Sequence, residues 1–130
     1  MMEPEFLSID DVLLLHEESL ARYGGLDGLR DEGGFHSAVE QPKMTYYYAR
    51  GDVFDIAAAY TFHIAQAQAF LDGNKRTGVG AGLLFLELNE VRTETDDLAL
   101  YEATIAIAEK RLDKAGLAAL LRSSALPGNA

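Results

Sequence analysis

The chain contains no cysteine, which excludes a disulfide framework, a thiolate zinc site and a cysteine nucleophile, and fits a reducing compartment. No apolar run reaches the roughly 20 residues of a membrane span. The acidic start MMEPEFLSIDD lacks the basic segment that opens a secretory signal. Basic residues are scarce: 11 Lys and Arg stand against 21 Asp and Glu, for a formal net charge of −10. A nucleic-acid binder needs a concentrated basic footprint, and none is visible. Internal repeats and low-complexity tracts are also missing. These absences lead to the expectation of a cytoplasmic protein that binds neither nucleic acid nor membrane.

What is present is a chain of 130 residues, 48% apolar and 25% charged, long enough to bury a core as one domain over residues 1–130. Ser8 and Asp11 form a variant capping box that opens a helix over IDDVLLLHEESLARY. Val12, Leu13, Leu15 and Leu20 share a face of it, with Leu14 off that face, and Gly24-Gly25 is a natural stop. Residues 34–41 read as a short helix ended before Pro42. KMTYYY is β-prone without strand alternation, so 42–50 reads as an extended flap or loop. Asp52 caps a long helix to about Ala69, carrying Ile56, Tyr60, His63, Ile64 and Ala67 at helical spacing. A second long helix runs from about Asn74 to Leu88, apolar nearly all round and expected at the centre of the domain. Gly78, Gly80 and Gly82 inside it each cost about 1 kcal/mol relative to Ala. Gly78 and Gly82, on one face, imply a closely packed neighbouring helix. Asn89 is placed to end the helix in the left-handed region. Helices over about 96–110, begun by Thr95, and 114–122, begun by Asp113, complete the chain, and the tail 123–130 is expected to fray. The fold class expected is all-α, a compact bundle of about six helices with one central buried helix.

The most informative stretch is QAFLDGNKRT, residues 68–77. A helix N-terminus exposes unpaired N–H groups and the positive end of the helix dipole. Placing Lys75 and Arg76 there is locally unfavourable unless something anionic offsets it. Gly73 lets a ligand approach the backbone without a Cβ in the way. Gly73, Asn74, Lys75 and Arg76 therefore form a candidate phosphate cradle, with Arg76 able to bond two phosphate oxygens. Asp72 reads either as the helix N-cap or as a magnesium ligand beside the phosphates. Asn74 reads as a turn residue or a phosphate contact. Phe70 reads as a core anchor that fixes the turn.

HIAQAQAFLDGNKRT resembles the signature of the Fic/Doc family: His-Pro-Phe, one variable residue, an acidic residue, Gly-Asn, Gly or Lys, then Arg, with QAF here in the place of His-x-Phe. YTFHIAQ resembles the family's approach helix, LLFLELNE the helix that follows, and YGGLDGLRDEGGFHSAVEQP the segment ahead of the active-site flap. The resemblance implies a small helical core that uses ATP and Mg²⁺. Most Fic proteins transfer AMP to a protein hydroxyl. The death-on-curing (Doc) branch, which carries Lys at the place of Lys75, is associated with phosphorylation of a threonine of elongation factor Tu. By this resemblance Asp72 is the metal ligand and Gly73, Asn74, Lys75 and Arg76 bind phosphate. It also implies an antitoxin partner whose C-terminal segment folds on binding, through basic or strongly apolar contacts given the toxin's charge. No inhibitory Ser/Thr-x-x-x-Glu-Gly/Asn pattern occurs within the chain itself.

The departure is Gln68, at the position of the family's catalytic His. A carboxamide has no usable basicity near pH 7, although it can orient a hydroxyl. His63 lies five residues earlier, about 140° away around a helix, and reads as a core residue. His16 lies on the first helix and His36 in the irregular segment. Three readings follow: a toxin enzyme impaired at Gln68, a pseudoenzyme that binds nucleotide or partner without turnover, or a helical protein in which DGNKRT is only a capped turn.

Overall fold

The computed structural model describes residues 3–127. Among them the chain forms six helices: α1 (Ile9–Tyr23), α2 (Glu32–Tyr47), α3 (Val53–Ala67), α4 (Asn74–Leu88), α5 (Asp97–Ala108) and α6 (Lys114–Ser123). The only extended pairings among them are two isolated antiparallel bridges, Leu29 with Phe70 and Thr93 with Ala125. No described helix is long and apolar enough to cross a membrane.

Local chemistry explains most of the boundaries. Ser8 and Asp11 close a reciprocal capping box on α1, and Asp52 and Asp55 close another on α3. Asp96 and Asp113 cap α5 and α6 through their side chains, so the cap of α5 is Asp96 rather than Thr95. The face of α1 that turns inward is also redrawn. Its buried residues are Val12, His16 and Ser19, while Leu13 is exposed.

The expected flap over 42–50 is largely helix. α2 runs through Pro42 to Tyr47. Proline in a helix interior costs about 3 kcal/mol, yet Pro42 is itself buried. Beyond it, the rings of Tyr46 and Tyr47 pack on Phe6 at 5.9 and 6.1 Å. That aromatic packing holds the last turn in place.

The central position falls to α3, not to α4. Ile56, Ala57, Ala58, Ala59, Tyr60, Thr61, Ile64 and Ala65 are all buried, because α2, α4, α5 and α6 all pack against α3. Short alanine side chains are what allow neighbours on every side. α4 lies along α3, with Leu88 exposed at its far end. Asn89 does not adopt the left-handed region; Glu90 does, with φ 61°. The Asn89 amide instead donates to Phe85 C=O and Glu5 C=O and accepts from Glu5 N–H. The tail is not wholly frayed. Glu94 N–H donates to Ser124 C=O and Leu126 N–H to Arg92 C=O, while 128–130 lie outside the described residues.

His63, on α3, is partly buried and does not serve as a plain core residue. Its Nε2 lies 3.1 Å from Lys114 Nζ on α6. The Lys114 ammonium can only donate, so Nε2 accepts and the imidazole is neutral. Burial, then the Lys114 charge, push the His63 pKa down from 6.5 to about 4. Between those values the unfolded chain holds a proton that the folded chain does not, so stability rises with pH there. The fold should therefore lose stability as pH falls from 6.5 towards 4. In His63→Gln, urea midpoints taken across that window should change less with pH than in the parent chain.

Candidate active site

The QAFLDGNKRT turn joins the end of α3 to the start of α4, and two left-handed residues shape it. Gln68 ends α3 at φ 48°, ψ 41°, and Gly73 precedes α4 at φ 83°, ψ 13°. Between them Phe70 is fully buried, stacked on His16 at 3.7 Å and edge-on to Phe35 at 5.1 Å. The expected anchor role of Phe70 holds.

Asn74 closes the turn. Its side-chain carbonyl accepts from Phe70 N–H and its amide donates to Phe70 C=O, each at 3.0 Å. Its side chain is thus committed to the fold, and what Asn74 offers a ligand is its backbone N–H. Asp72 does not cap α4, which has no side-chain cap. Its Oδ2 accepts from Leu26 N–H at 2.7 Å. Its backbone carbonyl accepts from His16 Nε2 at 2.8 Å.

Much of this scaffolding was not legible beforehand. The loop after α1 runs along the turn. Arg30 N–H donates to Ala69 C=O and Leu71 N–H to Gly28 C=O, while Arg30 Nε donates to Gln68 C=O at 3.0 Å. Gly25 and Gly28 permit the approach: a Cβ on Gly25 would stand 3.0 Å from Asp72 Cβ, and one on Gly28 2.7 Å from Leu71 Cδ1. The glycines in YGGLDGLRD were the available signal, but glycine alone does not say what approaches it.

The first turn of α4 is electropositive. Thr77 N–H is the first to be satisfied within the helix, by Gly73 C=O; the N–H groups of Asn74, Lys75 and Arg76 have no partner among the described residues. Lys75 and Arg76 are half-buried, and neither forms an ion pair with any described acid. Arg76 instead lies over the rings of Tyr23 at 3.6 Å and Tyr101 at 4.4 Å. A cleft of about 450 Å³ opens at this turn, lined by Tyr23, Gly24, Gly25, Arg30, Gln68, Tyr101 and residues 71–76. Arg30 adds a cation from another element, one that sequence spacing did not link to the turn.

None of the three histidines lines this cleft. His16 lies beneath the turn, held by the Asp72 carbonyl. His36 sits on α2 near Glu32, at 3.9 Å, and His63 is paired with Lys114. Gln68 occupies the cleft wall, and no histidine stands in for it.

The donor set suits a phosphate chain: free N–H groups, a glycine at the approach, and cations without acidic partners. For a divalent metal the described residues hold no group of three or more His, Asp or Glu side chains. One carboxylate, Asp72, lines the cleft. That matches Mg²⁺ held by a single carboxylate together with substrate phosphates and water, and does not match an all-protein metal cage.

The chain is similar in sequence to known proteins. The Fic/DOC family model matches residues 6–86. The chain is 31% identical over 117 residues to the protein kinase doc of Escherichia phage P1, covering 89% of this chain and 92% of that one. It is 38% identical over 96 residues to the toxin Doc of Mycolicibacterium smegmatis, covering 71% of this chain and 70% of the other.

Proposed function

The chain belongs to the Fic/DOC family, on its Doc side, and from that premise we propose that it is a toxin of a cytoplasmic toxin–antitoxin pair, built to transfer the γ-phosphoryl group of ATP to a hydroxyl of a translation factor. Elongation factor Tu is the target to try first. The observation that carries the reading is the pair Lys75 and Arg76, set beside free N–H groups at the start of α4, neither in an ion pair with a described acid.

Phosphoryl transfer depends chiefly on alignment and charge neutralisation. In this reading the N–H groups of the first α4 turn and the two cations bind the phosphates. Gly73 admits them close to the backbone, and Asp72 would hold Mg²⁺. When bound, the metal would supply neutralisation of phosphate charge. Gln68 orients the target hydroxyl but cannot take its proton. The lack of any histidine in the cleft favours a second reading as well, a pseudoenzyme that binds nucleotide without useful turnover. The antitoxin in either case would offer basic or apolar side chains to a toxin of charge −10.

Two measurements test this. Calorimetry with ATP and Mg²⁺ should give saturable binding that Arg76→Ala weakens by at least tenfold, the loss expected from a charged, bidentate contact. No heat, and no loss on Arg76→Ala, would reduce the turn to a helix start without ligand. Incubation of the chain with elongation factor Tu and labelled ATP should move label from the γ position. Label moving from the α position would indicate AMP transfer, and binding without either would identify the pseudoenzyme.

A further inference from the structure

An arginine that binds phosphate must be held in place without spending its donors. Asp or Glu partners would orient Arg76 but would also occupy its N–H groups and cancel its charge. In this chain the guanidinium has no hydrogen-bond or ion-pair partner among the described residues, and its near neighbours are the rings of Tyr23 and Tyr101. Aromatic faces attract a guanidinium through their quadrupole and leave its N–H edge unused. The rings come from far apart in sequence: Tyr23 is the last residue of α1 and Tyr101 lies in α5.

A second cavity, of about 400 Å³, adjoins the phosphate cleft. Tyr23, Arg76, Tyr101 and Ser19 line both spaces. The second cavity also carries Glu18 and Asp97, two carboxylates available to an Arg76 side chain that swung away from the cleft. Neither is paired with Arg76. The rings thus stand where they can hold Arg76 to one of its two possible partners, the anion or the acids.

We propose that Tyr23 and Tyr101 are positioning residues that hold Arg76 on the phosphate side of this wall, away from Glu18 and Asp97, with its N–H donors free for the nucleotide. The proposal rests on the reading of Arg76 as a phosphate contact. It makes the aromatic face, not the phenol, the functional part of each tyrosine.

The test is ATP–Mg²⁺ affinity measured by calorimetry on the full chain. Tyr23→Phe and Tyr101→Phe should bind within about twofold of the parent. Tyr23→Leu and Tyr101→Leu should each bind roughly three- to tenfold more weakly, the range expected for one cation–π contact. Adding Glu18→Gln and Asp97→Asn to Tyr101→Leu should restore much of the loss, and by more than the same two substitutions gain in the parent chain, an excess that a merely structural role for the ring would not produce. Arg76→Lys keeps the charge on an unperturbed backbone but loses the planar face, and should weaken binding about tenfold. If a leucine variant fails to fold, the phenylalanine variants decide: a loss well beyond twofold in either places the function on the phenol and overturns the proposal. Unchanged affinity in both leucine variants, with Arg76→Ala still damaging, overturns the positioning role alone. An Arg76→Ala variant that binds like the parent overturns both this role and the phosphate reading.

Discussion

Replacing Gln68 with His should raise the rate of transfer to a target hydroxyl by about 10²- to 10⁴-fold, the usual worth of a general base. The side chain at 68 lies on the wall of the cleft, beside Asp72, Lys75 and Arg76. Its peptide is held independently of its side chain, since the carbonyl accepts from Arg30 Nε. The left-handed backbone, φ 48° and ψ 41°, is a conformation in which His is enriched among non-glycine residues, so the exchange should cost little stability. Nucleotide affinity should change little, because the phosphates are held by the α4 turn. The gain should appear in the turnover rate and fall away as pH drops below the ordinary imidazole value of about 6.5. Initial rates with γ- and α-labelled ATP, parent against Gln68→His, provide the measurement. A substituted chain that moves neither label faster would remove the base at position 68 from the account.

The largest stability effect should come from Gly82→Val. α3 and α4 approach so closely that a Cβ on Gly82 would stand 2.3 Å from Thr61 Oγ1 and 3.0 Å from Ala57 C=O. One turn earlier, a Cβ on Gly78 would meet Thr61 C=O at 2.8 Å. Thr61 cannot simply rotate away at no cost, since its hydroxyl donates to Gly78 C=O at 2.8 Å. A β-branched side chain therefore has to push the two helices apart along the central seam. Overpacking of this kind costs typically 1–3 kcal/mol and more where backbone must move, so a loss of about 3 kcal/mol or more is expected. That corresponds to a fall in Tm of roughly 10 °C or beyond. Gly80→Ala is the control. Its Cβ would meet only Leu15, at 3.4 Å, and helix propensity favours Ala by up to about 1 kcal/mol, so Tm should hold or rise. Thermal unfolding followed by circular dichroism separates the two. Equal Tm for Gly82→Val and the parent would contradict the seam as described.

The contrast between these glycines shows what the sequence could convey. The spacing of Gly78 and Gly82 pointed to a close neighbour, and α3 is that neighbour. The bounds of α1, α4 and α6 were readable because their starts and stops are local, set by caps and the Gly73 turn. α2 was not, because the packing of Tyr46 and Tyr47 on Phe6, some 40 residues away in sequence, overrides the local effect of Pro42. At the site, the run from Asp72 to Arg76 was evident as a motif. The tasks of individual side chains were less so: Asn74 turned inward to Phe70, and Asp72 took Leu26 N–H instead of capping α4. His16, Arg30, Tyr23 and Tyr101 reach the turn through tertiary contacts that no spacing rule encodes.

The loop from Gly25 to Arg30 fastens the turn through the N–H groups of Leu26, Arg30 and Leu71, before any ligand arrives. Encounter with a nucleotide should then resemble a key meeting a finished lock. Complex formation should be a single concentration-dependent phase in rapid mixing, without a slower rearrangement behind it, and the bonded amides of Leu26, Arg30 and Leu71 should already exchange slowly in the unliganded protein.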